Sequence, residues 1–136
     1  MACVQVTSIL LYDYIKDLLV DELGSYNYPG GFEDWAIVIG DVDEDVKAIG
    51  LECIIPFVPD RKSNWMADKV RVTDRYDLLL VEHSPQDPKI QAAADKLSRA
   101  FTKSYGVYKP GNSALQSLPQ YRITLEFSDQ IDSLKI

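Results

Sequence analysis

The chain has 136 residues, of which 46% are hydrophobic and 26% are charged. This composition predicts a single globular domain spanning residues 1–136 and excludes a largely disordered chain. The 14 basic and 21 acidic residues give a formal charge of −7, which disfavours sequence-specific nucleic-acid binding. No apolar run approaches the roughly 20 residues of a membrane span, and the N-terminus lacks the basic region of a secretory signal. We therefore expect a cytosolic protein at synthesis, with no membrane partner.

The first predicted element is a helix over residues 7–23, because leucine and isoleucine side chains recur on one face of it. Thr7 or Ser8 is expected to cap its start, and Gly24 to end it in the left-handed conformation. A glycine-containing loop is predicted over residues 25–34. Its two tyrosines either contact a partner or fold back on the first helix.

A short β-branched run over residues 35–39 predicts the first strand. The turn after it carries alternating carboxylates at Asp41, Asp43 and Asp45. This spacing partly imitates a calcium-binding EF-hand loop, but Val46 stands where the loop needs glycine, and strands flank the segment instead of helices. We favour a solvated acidic turn over a metal site, and the sequence predicts no bound metal and no cofactor.

Residues 48–58 predict a second strand, with Pro56 at an edge or a bulge. The polar segment 59–68 predicts a long hairpin loop. Four of its side chains are candidate contact residues: Arg61, Lys62, Trp65 and Met66. An exposed tryptophan and methionine need cover, either from the core of the chain or from another subunit. The third strand, over residues 69–82, is expected to pair antiparallel with the second.

A second helix is predicted from Pro88 to about Tyr105, with Asp87 as its N-cap and Gly106 as its end. A surface loop follows over residues 107–120. Residues 121–127 alternate between apolar and polar side chains and predict the last strand. The segment 128–136 is expected to form a short edge strand or a C-terminal arm that docks on a neighbour.

The predicted element order is α-β-β-β-α-β, which indicates a two-layer α+β fold. Two helices would cover one face of a four-stranded, mostly antiparallel sheet. The other face would then need a partner, because Ile54, Phe57, Leu79 and Val81 are apolar. The sequence therefore predicts lateral association through this face.

Residue types suited to catalysis are few. His83 is the only histidine, and Ser84 beside it would point to the opposite side of a strand. Cys3 and Cys53 stand far apart and are predicted to be free thiols. No phosphate-binding motif occurs. We predict no catalytic residue and no enzyme activity, with a small acid/base or metal-dependent enzyme as the alternative.

The order of elements resembles that of the tail terminator proteins of long-tailed bacteriophages, and more loosely that of their other neck proteins. Nearly the whole chain contributes to the resemblance. The matching segments are residues 7–23, 35–39, 50–58, 69–84 with Arg75 to Val81 at their centre, 88–101 and 121–127.

Proteins of this family form a hexameric ring on the end of the tail tube, stop its polymerisation and join the tail to the head. The resemblance implies a structural virion protein of the tail or neck that is assembled in the host cytoplasm. Its partners would be copies of itself, the tail tube protein and the head–tail connector protein. The acidic turn from Asp41 to Asp45 and the segment 59–68 would contact the ring or the tube. The alternatives are another neck or head-closure protein, or a non-enzymatic interaction module.

Overall fold

The structure, a computed structural model, describes residues 7–42, 45–66, 69–112 and 117–132. Two helices and nine strands form within these ranges. The helices are α1 (Ser8–Leu18) and α2 (Ile90–Ala100). The strands, in chain order, are β1 (Ser25–Asn27), β2 (Glu33–Trp35), β3 (Ile37–Ile39), β4 (Lys47–Ile49), β5 (Leu51–Ile55), β6 (Asp60–Met66), β7 (Lys69–Glu82), β8 (Ser104–Lys109) and β9 (Gln120–Asp132). Neither described helix is long and apolar enough to cross a membrane.

The larger of two sheets has six strands. Five follow the order β3-β5-β7-β9-β8, and β6 pairs with the same edge of β7 as β5 does. The β3–β5 pairing is parallel and the others are antiparallel. The expected pairing of the second and third strands is confirmed by the register Ile54↔Leu79. The predicted α+β class is also confirmed. The expected four-stranded sheet and the order α-β-β-β-α-β are wrong, since this sheet has six strands and the described residues form seven strands between the helices and two after α2.

Both helices pack on one face of this sheet, and the hydrophobic core lies between them and the strands. Because side chains alternate along a strand, β7 directs Tyr76, Leu78 and Leu80 to this face. Other core side chains include Leu11, Ile15, Leu51, Cys53, Ile55, Ala93, Leu97, Ile123 and Leu125. Their burial is the main source of stability, since each fully buried leucine or isoleucine contributes roughly 1.5–3 kcal/mol of transfer free energy.

The smaller sheet has three strands in the order β2-β1-β4 and was not predicted. It forms because two predicted strands each divide. The run 35–39 divides at Ala36 into β2 and β3, and the run 48–58 divides at Gly50 into β4 and β5. Gly50 has φ = 81°, a conformation that glycine adopts without strain. The predicted loop over residues 25–34 contains β1 and the start of β2, so that prediction is wrong.

The two ends of α1 differ in how well the sequence predicted them. The Thr7 hydroxyl accepts a hydrogen bond from the Leu10 N–H at 3.2 Å, which confirms the predicted cap. The helix ends at Leu18, earlier than predicted, and Gly24 is not a left-handed cap. Instead the Gly24 N–H donates to the Leu51 carbonyl oxygen at 2.8 Å. Gly24 is required by close packing, because a Cβ there would lie 1.8 Å from a backbone oxygen of the turn at Gly50.

The start of α2 also differs from prediction. The N-cap is Lys89, and the exposed Asp87 caps nothing. The fully buried Glu82, at the end of β7, accepts the Lys89 N–H at 2.5 Å and the Ser84 N–H at 3.3 Å. A carboxylate distant in sequence thus takes the place of the local cap, and the Asp87 prediction is wrong.

The segment after α2 contains a strand that was not predicted. The helix ends at Ala100, and β8 lies where the end of the helix and the start of a loop were expected. Gly106 lies inside β8, and a Cβ there would be 2.4 Å from the Tyr121 ring. After the loop, β9 continues to Asp132, pairing with β7. The predicted arm is therefore a strand as far as Asp132, and residues 133–136 lie outside the described residues.

Candidate functional site

The acidic turn is described only in part. Asp41 and Asp45 are exposed, whereas Asp43 lies outside the described residues. Among the residues that the structure describes, no three His, Cys, Asp or Glu side chains gather in a way that could hold a metal ion. Asp41 and Asp45 therefore contribute exposed negative charge next to the end of β3.

The segment 59–68, predicted as a hairpin loop, is mostly strand. β6 pairs with the first half of β7 from Asp60↔Arg75 to Met66↔Lys69. The loop prediction is wrong because polar side chains also suit a strand at the edge of a sheet, where they face solvent. The backbone of Trp65 and Met66 belongs to β6, and their side chains lie outside the described part of the chain.

Arg61 and Lys62, adjacent on β6, have different surroundings. Arg61 makes two hydrogen bonds to Asp74, Nε to Oδ1 at 2.6 Å and Nη2 to Oδ2 at 2.9 Å. These bonds raise the pKa of Arg61. The Lys62 side chain is exposed. Arg61 is thus engaged by a carboxylate of its own chain, and Lys62 is the cation that extends into solvent here.

The sheet face opposite the helices, which we call the open face, carries a row of apolar side chains. The strand register aligns Val38, Ile54 and Leu79 across β3, β5 and β7, and all three are half-buried. The row continues through Arg122 on β9 to Val107 on β8, and both of these are exposed. The helices cover none of this row.

Two pairs of polar side chains on the open face are hydrogen-bonded across neighbouring strands. The Thr124 hydroxyl donates to Asp77 Oδ1 at 2.6 Å, and Arg75 Nη2 lies 3.1 Å from Glu126 Oε1. These contacts satisfy part of the polar groups on a face that no helix covers, whereas the buried Nε of Arg75 has no hydrogen-bond partner within the described residues. The open face is therefore a mixed surface, with an apolar row beside hydrogen-bonded polar pairs.

One end of the open face is covered by the smaller sheet. Glu52, only 6% exposed, accepts hydrogen bonds from the Tyr26 hydroxyl at 2.6 Å and from His83 Nε2 at 2.8 Å. Burial raises the pKa of Glu52, but the hydrogen bonds from His83 and Tyr26 outweigh burial, so the net shift is downward. Burial and the bond to Glu52 raise the pKa of Tyr26. Val81, beside Glu52 on β7, is buried here, so the expectation that it would need a partner is wrong.

This Tyr26–Glu52–His83 cluster holds the two sheets together. Both oxygens of Glu52 are occupied, so the carboxylate is not positioned to accept a proton from a bound substrate. No structural role was predicted for Glu52, although a lone carboxylate inside the apolar run Leu51–Ile55 was a signal for a buried polar contact. Tyr26 is buried against the larger sheet, so neither sequence interpretation of it, partner contact or packing on the first helix, is correct.

A bulge joins β5 to β6 and exposes two apolar side chains. Ser8 Oγ lies 2.7 Å from each of the carbonyl oxygens of Pro56 and Phe57, which holds the bulge against the start of α1. Phe57 is 68% exposed and Val58 is 73% exposed. The Phe57 ring lies against Gly40, where a Cβ would be 2.1 Å from the ring. The bulge is thus anchored on both sides while its apolar side chains contact solvent.

A shallow depression of about 440 Å³ lies between this bulge and the open face. Its lining includes Asp41, Ile54, Phe57, Asp77 and Leu79, and we call it the acidic depression. Asp41 and Asp77 are exposed, and within the described part of the chain neither forms an ion pair. The depression therefore combines an apolar floor with two exposed carboxylates.

The opposite edge of the same sheet has the opposite charge. β8 is the outermost strand, and its register with β9 places Tyr105, Val107 and Lys109 on the open face. Lys103, exposed, precedes the strand, and neither lysine forms an ion pair within the described ranges. We call Lys103, Tyr105, Val107 and Lys109 the basic edge. This edge was not predicted from the sequence, because β8 itself was not predicted.

Comparison with known proteins identifies no family for the chain. No family model, no curated protein and no solved structure matches it. A function for the chain is therefore proposed from its sequence and from its own surfaces, which include the acidic depression and the basic edge.

Proposed function

We propose that the chain is a structural protein of a bacteriophage neck. In this proposal it forms a ring at the head-proximal end of a long tail, terminates polymerisation of the tail tube and joins the tail to the head connector. The proposal starts from the resemblance of the sequence to tail terminator proteins, which rests on a predicted order of six elements. Of that prediction, the structure retains the two helices and the α+β class. It implies location in the virion after assembly in the host cytoplasm. The partners would be copies of the chain, the tail tube protein and the head–tail connector protein.

The observation that best supports an assembly role is the open face with exposed apolar side chains towards both of its edges. Phe57 and Val58 are exposed beside the acidic depression, and Val107 is 69% exposed on the basic edge. Exposed apolar groups gathered on one face favour contact with another protein. A different neck protein or another interaction module would use the same face, so these are the alternatives to a tail terminator.

The strongest cluster of titratable groups supports a structural role. Glu52 is buried and bonded to both Tyr26 and His83, and the cluster lies where the two sheets meet. A general base needs an oxygen or nitrogen within hydrogen-bond reach of a substrate. Since Glu52 is occupied by its own chain, this cluster favours a scaffold over an acid/base enzyme.

Ring formation needs only non-covalent contacts that repeat around an axis. Charged surfaces then set which partner docks and in which orientation, and salt weakens such contacts. The formal charge of −7 also suits a ring through which DNA passes, because the phosphate backbone is repelled by a negative lumen.

Light scattering on a size-exclusion column, over a range of protein concentrations, tests the proposal. We expect a species of about six 15.4 kDa chains, and rings in negative-stain micrographs of the same peak. If the chain alone is monomeric, the same measurement is made with the tail tube protein from the same genome. Absence of rings in both samples would contradict the proposal, and a stable dimer would favour the interaction module.

A further inference from the structure

We propose that the acidic depression of one copy binds the basic edge of a second copy, and that repetition of this contact closes the ring. This inference rests on the proposed function, because it specifies the contact from which the ring would be built. It commits both surfaces to a single partner, another copy of the same chain.

The two surfaces lie towards opposite edges of one sheet. The acidic depression is bordered by β3, β5 and β7, and the basic edge is on β8, beyond β9. Because β3 and β8 end the five-strand order on opposite sides, the basic edge can fill a depression only in a neighbouring copy. If each copy uses its depression for one neighbour and its basic edge for another, the contact is heterologous, and heterologous contacts generate rings when the rotation closes.

The charges of the two surfaces are complementary. Asp41 and Asp77 flank the apolar floor of the depression, and Lys103 and Lys109 flank the apolar centre of the basic edge. Within the described residues none of these four side chains has an oppositely charged partner. Each surface therefore lacks the charge that the other presents, which favours a defined orientation of docking.

The apolar groups of the two surfaces also match. Ile54, Phe57 and Leu79 line the depression, and Tyr105 and Val107 lie between the two lysines. All are at least partly exposed, so docking would remove apolar surface from water on both sides. Apolar cores with charged rims are typical of protein–protein interfaces.

The backbone of β8 gives a further reason for a polypeptide partner. The Glu126 N–H donates to the Lys103 carbonyl oxygen at 3.0 Å, which fixes the alternation of hydrogen-bonded pairs between β8 and β9. The N–H and C=O groups of Gly106 and Tyr108 then point away from β9. Such an outer edge, without proline, is a template for contact with another chain.

Reversing the charge of one surface at a time tests the contact. The first variant is Lys103→Glu with Lys109→Glu, and the second is Asp41→Lys with Asp77→Lys. We expect each variant alone to self-associate at least tenfold more weakly than the wild type in sedimentation experiments, since like charges would then face each other. Circular dichroism and urea denaturation establish that each variant is folded.

The decisive sample is an equimolar mixture of the two variants. In the mixture, the reversed edge of one variant complements the reversed depression of the other, and the two unreversed surfaces also complement each other. We therefore expect the mixture to recover assembly, with the two variants alternating around an even-numbered ring. A control pair, Lys89→Glu with Arg99→Glu, changes the net charge as much as the first variant does, but at the N-cap and the last turn of α2, and should leave association unchanged.

The outcomes separate this inference from the proposed function. The contact is overturned if either variant alone forms rings as the wild type does, or if the mixture of the two variants stays dissociated. The proposed ring is unaffected by either result. A different result is that self-association is lost in each variant and recovered in the mixture, but microscopy shows an assembly that is not a ring. This result would support the contact and overturn the proposed ring. If the wild type self-associates neither alone nor with the tail tube protein, both proposals fail.

Discussion

Leu78 and Leu79 are neighbours on β7, but they lie on opposite faces of the sheet and in different surroundings. Leu78 is fully buried under the two helices, whereas Leu79 is half-buried on the open face. The same alternation continues on β9, where Ile123 is buried in the core and Arg122 is exposed. The covered face thus holds the residues that stabilise the fold, and the open face keeps apolar and charged side chains available for contacts.

Each face of the sheet has one buried carboxylate that binds a neighbouring layer. Glu82, on the covered side, accepts backbone N–H groups that begin α2. Glu52, on the other side, accepts the hydroxyl of Tyr26 and the imidazole of His83. Each carboxylate fixes an additional layer on the central sheet, a helix in one case and the smaller sheet in the other. The part of the open face around Ile54 and Leu79 has no such layer over it within the described residues.

The largest difference between the faces is expected for the two neighbouring leucines. Leu78→Ala leaves a cavity in the core and should lower the free energy of unfolding by about 3 kcal/mol. Leu79→Ala removes a half-buried side chain and should cost less than about 1 kcal/mol in the dissociated chain. Urea denaturation at low protein concentration measures both values. Equal losses would mean that the open face contributes to the core as much as the covered face does.

The end of the open face that the smaller sheet covers should contribute stability that depends on pH, through Glu52. The pKa of Glu52 lies below its ordinary value of 4.5 in the folded chain. Its contribution to stability is thus fully present above about pH 4.5 and is lost as the pH falls through the folded pKa, because the unfolded chain binds the proton more readily. Glu52→Gln should remove this part of the acid-side loss.

Urea denaturation at a series of pH values between about pH 7 and pH 3 measures this effect. Glu126→Gln is the matched control, since its carboxylate pairs with Arg75 on a more exposed part of the same face. The control should retain the acid-side loss that depends on Glu52. Identical pH profiles for the wild type and Glu52→Gln would show that the cluster with Tyr26 and His83 does not hold the smaller sheet through its charge.

The regular spacing of apolar residues allowed the elements of the covered face to be predicted. The smaller sheet, which lies on the other side, was not predicted. The leucine stripe of α1 and the alternation in residues 121–127 identify their elements directly. Nothing in the β-branched run 35–39 shows that the chain changes sheets at Ala36. The turn at Gly50 was likewise hidden, because its glycine lies inside an otherwise strand-like run. In both places tertiary pairing overrides the local pattern.

Residues of the acidic depression were recognised in the sequence, whereas the basic edge was not. Asp41 stands out as part of a charge cluster, and Ile54, Phe57 and Leu79 were recognised as apolar residues needing cover. Lys109 was assigned to a surface loop because proline and glycine follow it at once, although Tyr105, Val107 and Tyr108 are residue types that favour strands. The position of β8 depends on pairing with β9, which is a long-range contact that composition does not encode.

The smallest effect is expected at the edge of the sheet, on β6, where Arg61 and Lys62 are neighbours with different partners. Arg61→Ala removes both hydrogen bonds to Asp74, so it should slightly lower the urea midpoint. Lys62→Ala removes an exposed side chain and should leave the midpoint unchanged, because surface substitutions away from specific contacts have little effect. The effect of Arg61→Ala should shrink in high salt, since Arg61 is partly exposed and its pair with Asp74 is screened. If Lys62→Ala instead weakens ring assembly while Arg61→Ala does not, Lys62, which pairs with Thr73 and so lies on the open face, would extend the contact surface along that face to β6.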